Sequence, residues 1–318
     1  MITIGPEILV VTYHYLLGST FTGPGVIPFG PERFSAQVEF LARSSHFLSL
    51  EDLSSGVLPD SGGYRRYTLL TFDDGLAEQF EVAWPILRSR GIPGAFFPCT
   101  APLKTGKLLH VHRMHALRSN MPDKDLLALL GELSIKAGFE ESSRVIGGEN
   151  FTEAPYPYDT PEARTIKSLL NYTLPISERE ALSEMAFRQI LGEEALWAKK
   201  LYMGSEMLCE LSSRGCLGTH THLHRPLSRL DREGIRREIV ESLDILEKTT
   251  GRRPDSLSYP YGNHLAVSGE VFEVASECGL KCGFTTERRH GRIHSDRLSL
   301  PRFDAEDIPL GKRPVIDL

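Results

Sequence analysis

A chain of 318 residues, 41% hydrophobic and 25% charged, can bury a sizeable core, and its composition does not indicate disorder. Its formal net charge of −6 excludes a general nucleic-acid binder, which presents a basic face. No apolar run approaches membrane-spanning length, so no transmembrane segment is expected.

Met1–Glu7 lacks the basic start of a signal peptide, and Ile8–Val11 is too short for its apolar region. The five cysteines (Cys99, Cys209, Cys216, Cys278, Cys282) form no CxxC pair and read as buried free thiols. Cys278 and Cys282, one helical turn apart, are the alternative pair. These features together lead us to expect a cytoplasmic protein.

Taken in chain order, Ile8–Tyr13 reads as a buried strand with His14 at its end, and 22–31 as a Gly/Pro-rich loop. Phe34, Val38 and Leu41 mark an amphipathic helix over 32–44, and Phe47–Leu50 a short strand. The apolar run 68–72 is the next strand; it stops at Asp73-Asp74-Gly75. Residues 80–90 read as a helix with Pro85 as an irregularity, and 95–98 as a strand. Strand, helix and strand alternate, which predicts βαβ units and a parallel sheet.

From 101 to 205 the pattern is helix and loop. Asp123–Ala137 is a helix capped by Gly138, and 142–158 is loop. Thr160-Pro161 is an N-cap followed by proline. Ser177–Glu180 reads as a capping box opening a long helix. This stretch is expected to be a helical insertion covering the active-site cleft of one domain spanning 1–318. Alternation then resumes: a strand end at Gly218–His220, a helix from Asp231 closed by Gly251, strands at 257–259, 283–286 and 298–303, and a helix over 270–278.

Two clusters carry chemistry. Adjacent residues on a strand face opposite ways, so Asp73 and Asp74 can have separate jobs, one holding a metal and one moving a proton. In Thr219-His220-Thr221-His222-Leu223-His224, His220 and His224 converge either on one helix face or in a tight loop, and His222 points away. Two imidazoles with one carboxylate leave coordination positions open, as a catalytic metal needs. His110, His112 and His115 lack a carboxylate or thiol at ligand spacing and are not read as a second metal site. Tyr156, Tyr158 and Tyr202 are candidates for the substrate cleft, with a core role preferred.

Thr71-Phe72-Asp73-Asp74-Gly75, His220-Thr221-x-x-His224 and Ser258-Tyr259-Pro260-Tyr261-Gly262, in this order, resemble three motifs of the polysaccharide deacetylases (NodB homology, carbohydrate esterase family 4). The flanks 83–87 and 91–97 agree. Tyr13-His14 resembles the motif of the subgroup with an N-terminal Tyr-His. The resemblance implies an α/β fold, a distorted parallel (β/α)7-type barrel with its site at the carboxyl ends of the strands.

It further implies that Asp74, His220 and His224 bind one divalent metal ion, Zn²⁺ first, with Co²⁺, Ni²⁺ or Fe²⁺ also suited. Asp73 is implied as the general base and His14 as the acid, in preference to His294. The N–H of Tyr261 is expected to donate to the oxyanion. The arginine that commonly precedes the third motif is missing, and Arg302 is expected to support Asp73 in its place. The late Asp-x-x-Asp-Trp motif is also absent.

The activity implied is metal-dependent removal of an N-acyl group, in the first instance N-acetyl, from an amino sugar. A nucleotide-linked or lipid-linked precursor of a surface glycan or lipopolysaccharide is the expected substrate. The alternatives are hydrolysis of a non-sugar amide or N-formyl group, and a catalytically idle carbohydrate-binding relative. The sequence leaves the oligomeric state open.

Overall fold

The computed structural model describes residues 7–17, 21, 23, 26–64, 66–148, 159–292 and 297–318. The chain divides into two compact units. The first comprises Met1–Leu17, Pro28–Thr105 and Leu201–Leu318; the second comprises Gly18–Ile27 and Gly106–Lys200. No helix among the described residues is long and apolar enough to cross a membrane.

The first unit is a distorted (β/α) barrel. Its strands are β1 (Ile8–Tyr13), β2 (Ser45–Phe47), β3 (Arg66–Asp74), β4 (Gly94–Pro98), β5 (Ser256–Ser258), β6 (Cys282–Phe284) and β7 (Phe303–Asp304). β3 lies parallel to β1 on one side, from Ile8↔Tyr67 to Tyr13↔Phe72. On its other side it pairs first with β2 and then with β4. Residues 216–220 extend the sheet without forming a regular strand: Phe96 N–H donates to the Cys216 carbonyl, and Ser258 N–H donates to Thr219. β5 pairs with β6, β6 bridges to Leu300, and β7 returns to β1. The ring of strands therefore closes through the last segment of the chain.

Alternation along each strand builds two layers. Val10, Leu69, Phe97, Phe284 and Leu300 form one cluster. Phe97 and Phe284 meet at 5.3 Å from non-adjacent strands, so this cluster fills the barrel. Leu9, Val11 and Tyr13 face the other way, against Phe34, Val38 and Leu41 of the helix Pro31–Ala42. Gly218 is required where the strands crowd: a Cβ there would lie 2.2 Å from the Phe97 ring.

Several local expectations shift. Phe47–Leu50 is not one strand. Ser49 instead caps the helix Leu50–Ser55 in a capping box with Asp52, which ends the strand at Phe47. The helix after the first motif opens as a π-helix, Gln79–Ala83, before Trp84–Ser89. The C-terminal strand read over 298–303 reduces to the bridge at Leu300 and the two residues of β7.

The second unit is built from helices, among them His110–Asn120, Asp123–Ala137, Glu140–Ile146, Pro161–Ser168 and Ile176–Leu191. Thr160 caps as expected, its hydroxyl accepting from Ala163 N–H, and Gly138 closes its helix with φ 72°. Residues 142–146 belong to the third of these helices and are not loop; 149–158, including Tyr156 and Tyr158, lie outside the described residues. Ser177 is not a cap. The long helix starts one residue earlier, and Glu178 accepts from Ser142 instead. Within this unit Arg113 forks onto Glu194 at 2.8 and 3.1 Å.

Candidate active site and metal centre

β3 runs through the acidic pair: Asp73 and Asp74 are its last residues. Asp74 leaves the strand with φ 75°, and Gly75 follows at φ 71°. A side chain on Gly75 would lie 2.6 Å from Pro98 Cβ, so this turn needs glycine. The left-handed turn swings the Asp74 carboxylate toward the loop that follows residue 220.

That loop settles the histidine spacing. Residues 221–226 form no helix. Thr221 at φ 63° and His224 at φ 57° fold the chain tightly enough to bring both imidazoles together. His220 Nε2 lies 3.5 Å and His224 Nε2 3.4 Å from Asp74 Oδ1. All three residues are buried, and one ligand atom from each falls within 4.8 Å of the other two. Among the described residues this is the sole group of three such ligands. Among the described residues, four of the five non-glycine residues with positive φ (Asp74, Thr221, His224, Tyr261) surround this point. Such backbone costs on the order of 1–3 kcal/mol per residue and is retained where a site requires it.

The donor set fits a divalent cation. It offers two neutral imidazole nitrogens and one carboxylate oxygen, with room for further ligands. Burial lowers the His220 pKa from 6.5 against the pull of Asp73 and Asp74, so the ring is neutral at pH 7, as a ligand must be. Its Nδ1–H donates to the Ser258 carbonyl at 2.6 Å, which directs Nε2 at the site. His222 points away, as expected. It meets the Thr100 hydroxyl at 2.9 Å and Glu241 at 3.4 Å.

Asp73 does not join the ligands. Its two oxygens receive a bidentate fork from Arg302, Nη1 to Oδ1 at 2.9 Å and Nη2 to Oδ2 at 2.7 Å. Arg302 is itself fixed through Nε to the Thr285 carbonyl and through Nη1 to the Thr71 hydroxyl. Burial alone would raise the Asp73 pKa. The Arg302 charge, aided by His220, by the fork itself and by His14, overrides it and holds the carboxyl at about 2. Asp73 is therefore ionised at neutral pH.

His14 stands on the open side. Its Nε2 is 4.0 Å from Asp73 Oδ2, and its side chain is 40% exposed, so it faces solvent as well as Asp73. Tyr261 sits at φ 62° after Pro260, with its ring against His224 at 4.8 Å, and Thr286 holds its carbonyl. His294 lies outside the described residues.

Residues that sequence reasoning missed frame this centre. Gln79 donates to the backbone carbonyls of both Asp73 and His14. Cys99 Sγ–H donates to the His220 carbonyl. The Tyr15 hydroxyl is pushed well above its ordinary pKa by burial and by the field of Asp74, Tyr202 and Glu78. None of these belongs to a motif; Gln79 and Cys99 hold the backbone carbonyls of Asp73 and His220.

Residues 193–283 match the family model described as polysaccharide deacetylase. Over that segment the chain is similar to the polysaccharide deacetylases. Solved structures of that fold superpose over nearly the whole chain. The deacetylase PplD of Streptococcus pyogenes, in complex with acetate, is 15% identical with a TM-score of 0.57, covering 94% of this chain and 93% of that one. IcaB from Ammonifex degensii is 16% identical at 0.53, covering 94% and 91%. The BpsB deacetylase domain from Bordetella bronchiseptica is 17% identical at 0.53, covering 94% and 95%. At these identities the superpositions establish the fold of the polysaccharide deacetylase domain and nothing finer. No curated protein matches the sequence significantly.

Proposed function

We propose that this protein is a metal-dependent hydrolase that removes an N-acyl group, most simply acetyl, from the nitrogen of an amino sugar. The observation that carries the reading is the division of labour between adjacent residues. Asp74 converges with His220 and His224, while Asp73 is withheld from them by Arg302. A structural metal site has no use for an ionised, separately supported carboxylate at its edge.

Asp74, His220 and His224 would hold the cation, with Zn²⁺ the first candidate among Zn²⁺, Co²⁺, Ni²⁺ and Fe²⁺. When bound, it supplies Lewis acidity to water and to the amide carbonyl. The chain's own groups do the rest. Asp73 Oδ2 takes the proton of the attacking water. Arg302 keeps that oxygen charged and fixes its direction. The Tyr261 N–H, presented by the turn after Pro260, donates to the oxyanion that develops on the carbonyl. His14 Nε2, on the exposed side of Asp73, gives a proton to the departing amine. Burial of Asp73 and its fork keeps the base from relaxing toward solvent.

The proposed substrate is an N-acetylated sugar on a nucleotide or lipid carrier, a reading that rests on the sequence alone. Purified protein reconstituted with Zn²⁺ is assayed for acetate release from N-acetylhexosamines, free, carrier-linked and polymeric. Acetate from carrier-linked sugars supports the full reading. Release from long polymer alone refutes the precursor assignment. Bound metal with no release from any sugar favours a non-sugar amide or an idle relative.

A further inference from the structure

We infer that Gln79 and Glu78 form a clamp that sets the position of His14 against Asp73, a positioning role that rests on the hydrolase reading of this site. The parallel ladder between β1 and β3 ends at Tyr13↔Phe72. His14 and Asp73 are the next pair in register, the two residues read as acid and base. Their backbone carbonyls lie beyond the last ladder rung. Gln79 Nε2 reaches both, at 2.6 Å to Asp73 and 3.1 Å to His14. Its carboxamide is fully buried, and its Oε1 has no hydrogen-bond partner. The side chain therefore serves as a two-pronged donor, at the expense of its acceptor.

Glu78 completes the grip. Its Oε1 accepts from Leu16 N–H and from Leu17 N–H at 3.2 Å, fixing the turn that follows His14. Both residues sit where the chain enters the π-helix Gln79–Ala83. A π-turn at this place widens the first helical turn and is a recurrent mark of functional sites. The clamp thus replaces the missing ladder exactly where the two proton-carrying side chains diverge. The His14 side chain is 40% exposed, and its Nε2 approaches Asp73 Oδ2 at 4.0 Å, beyond hydrogen-bond distance. Its backbone must supply the precision that its imidazole lacks, and misplacement by about 1 Å can cost on the order of 10²-fold in rate.

The test is Gln79→Met, which keeps length and removes both donors, made alone and with His14→Ala. Gln79→Glu, which turns the prongs into acceptors, is the second variant should the first fail to fold. We expect kcat to fall by about 10-fold or more with KM within about two-fold, and the Gln79 effect to shrink below about two-fold once His14 is absent. An unchanged kcat, or an equal loss with and without His14, overturns the clamp. Should the unaltered protein release acetate from no sugar, the amino-sugar reading fails separately. Amide exchange at Leu16 and Leu17 then decides the clamp: acceleration in Gln79→Met while β3 amides hold supports it, and unchanged exchange overturns it.

Discussion

Arg302 meets Asp73 through two parallel hydrogen bonds across 229 residues of chain, with both side chains buried. The pairing joins the final segment of the barrel to the last turn of its central strand. A bidentate guanidinium–carboxylate fork is among the strong, directional contacts available to a protein.

Removing the cation leaves a buried carboxylate uncompensated. Arg302→Met is expected to cost on the order of 3–5 kcal/mol of stability, because the partner stays charged and desolvated. Arg302→Lys keeps the charge and loses the fork, so it should recover part of the stability and little of the turnover. Urea unfolding beside steady-state kinetics separates the two effects.

The same pair sets an acid limit to stability. Asp73 is held at about 2, below its ordinary 3.8. A group whose folded value is depressed contributes fully above its unfolded value and loses that contribution as pH falls through the folded one. The metal-free protein should therefore keep most of this contribution, roughly 2 kcal/mol, down to about pH 4 and lose the greater part of it between pH 4 and 2. Denaturant midpoints measured across that range should show the loss, and in Arg302→Met it should be absent.

Metal content and turnover should separate between neighbours. Asp74→Ala is expected to lose bound Zn²⁺ during purification, because two imidazoles alone make a weaker set. Asp73→Asn should keep the metal and lose on the order of 10²–10⁴-fold in kcat. Elemental analysis of both proteins, with acetate release, checks the assignment; full turnover in Asp73→Asn would refute it.

Gly218 should tolerate nothing larger. A Cβ there would meet the Phe97 ring at 2.2 Å and Ser256 Oγ at 2.9 Å. Gly218→Ala is expected to destabilise the barrel by about 1–3 kcal/mol. Gly204→Ala, where nothing lies within 4 Å, is the control and should change the melting temperature little.

The cluster of Asp74, His220 and His224, with Asp73 beside it, was legible in the sequence because each is a chemically distinctive residue near another: two adjacent carboxylates, and histidines four apart. The loop that joins His220 to His224 was not decided by spacing, since only the left-handed φ values of Thr221 and His224 select it over a helix. Arg302 was legible as a residue of the right charge at a strand end, but its fork depends on barrel closure, which no local pattern encodes. Gln79 gave no signal. It acts on backbone carbonyls, and any sequence can offer those. The same limit explains Ser49, whose partner Asp52 lies three residues on, hidden in what reads as a strand.

The barrel closes through the stretch that bears Leu300, Arg302 and β7. Asp74, His220 and His224, with the Ser258 carbonyl that orients His220, all precede it in the chain. The proposed metal cluster and the support of the proposed base are thus separable along the chain. A chain clipped before residue 300 would keep Asp74, His220 and His224 yet leave Asp73 without its counter-charge.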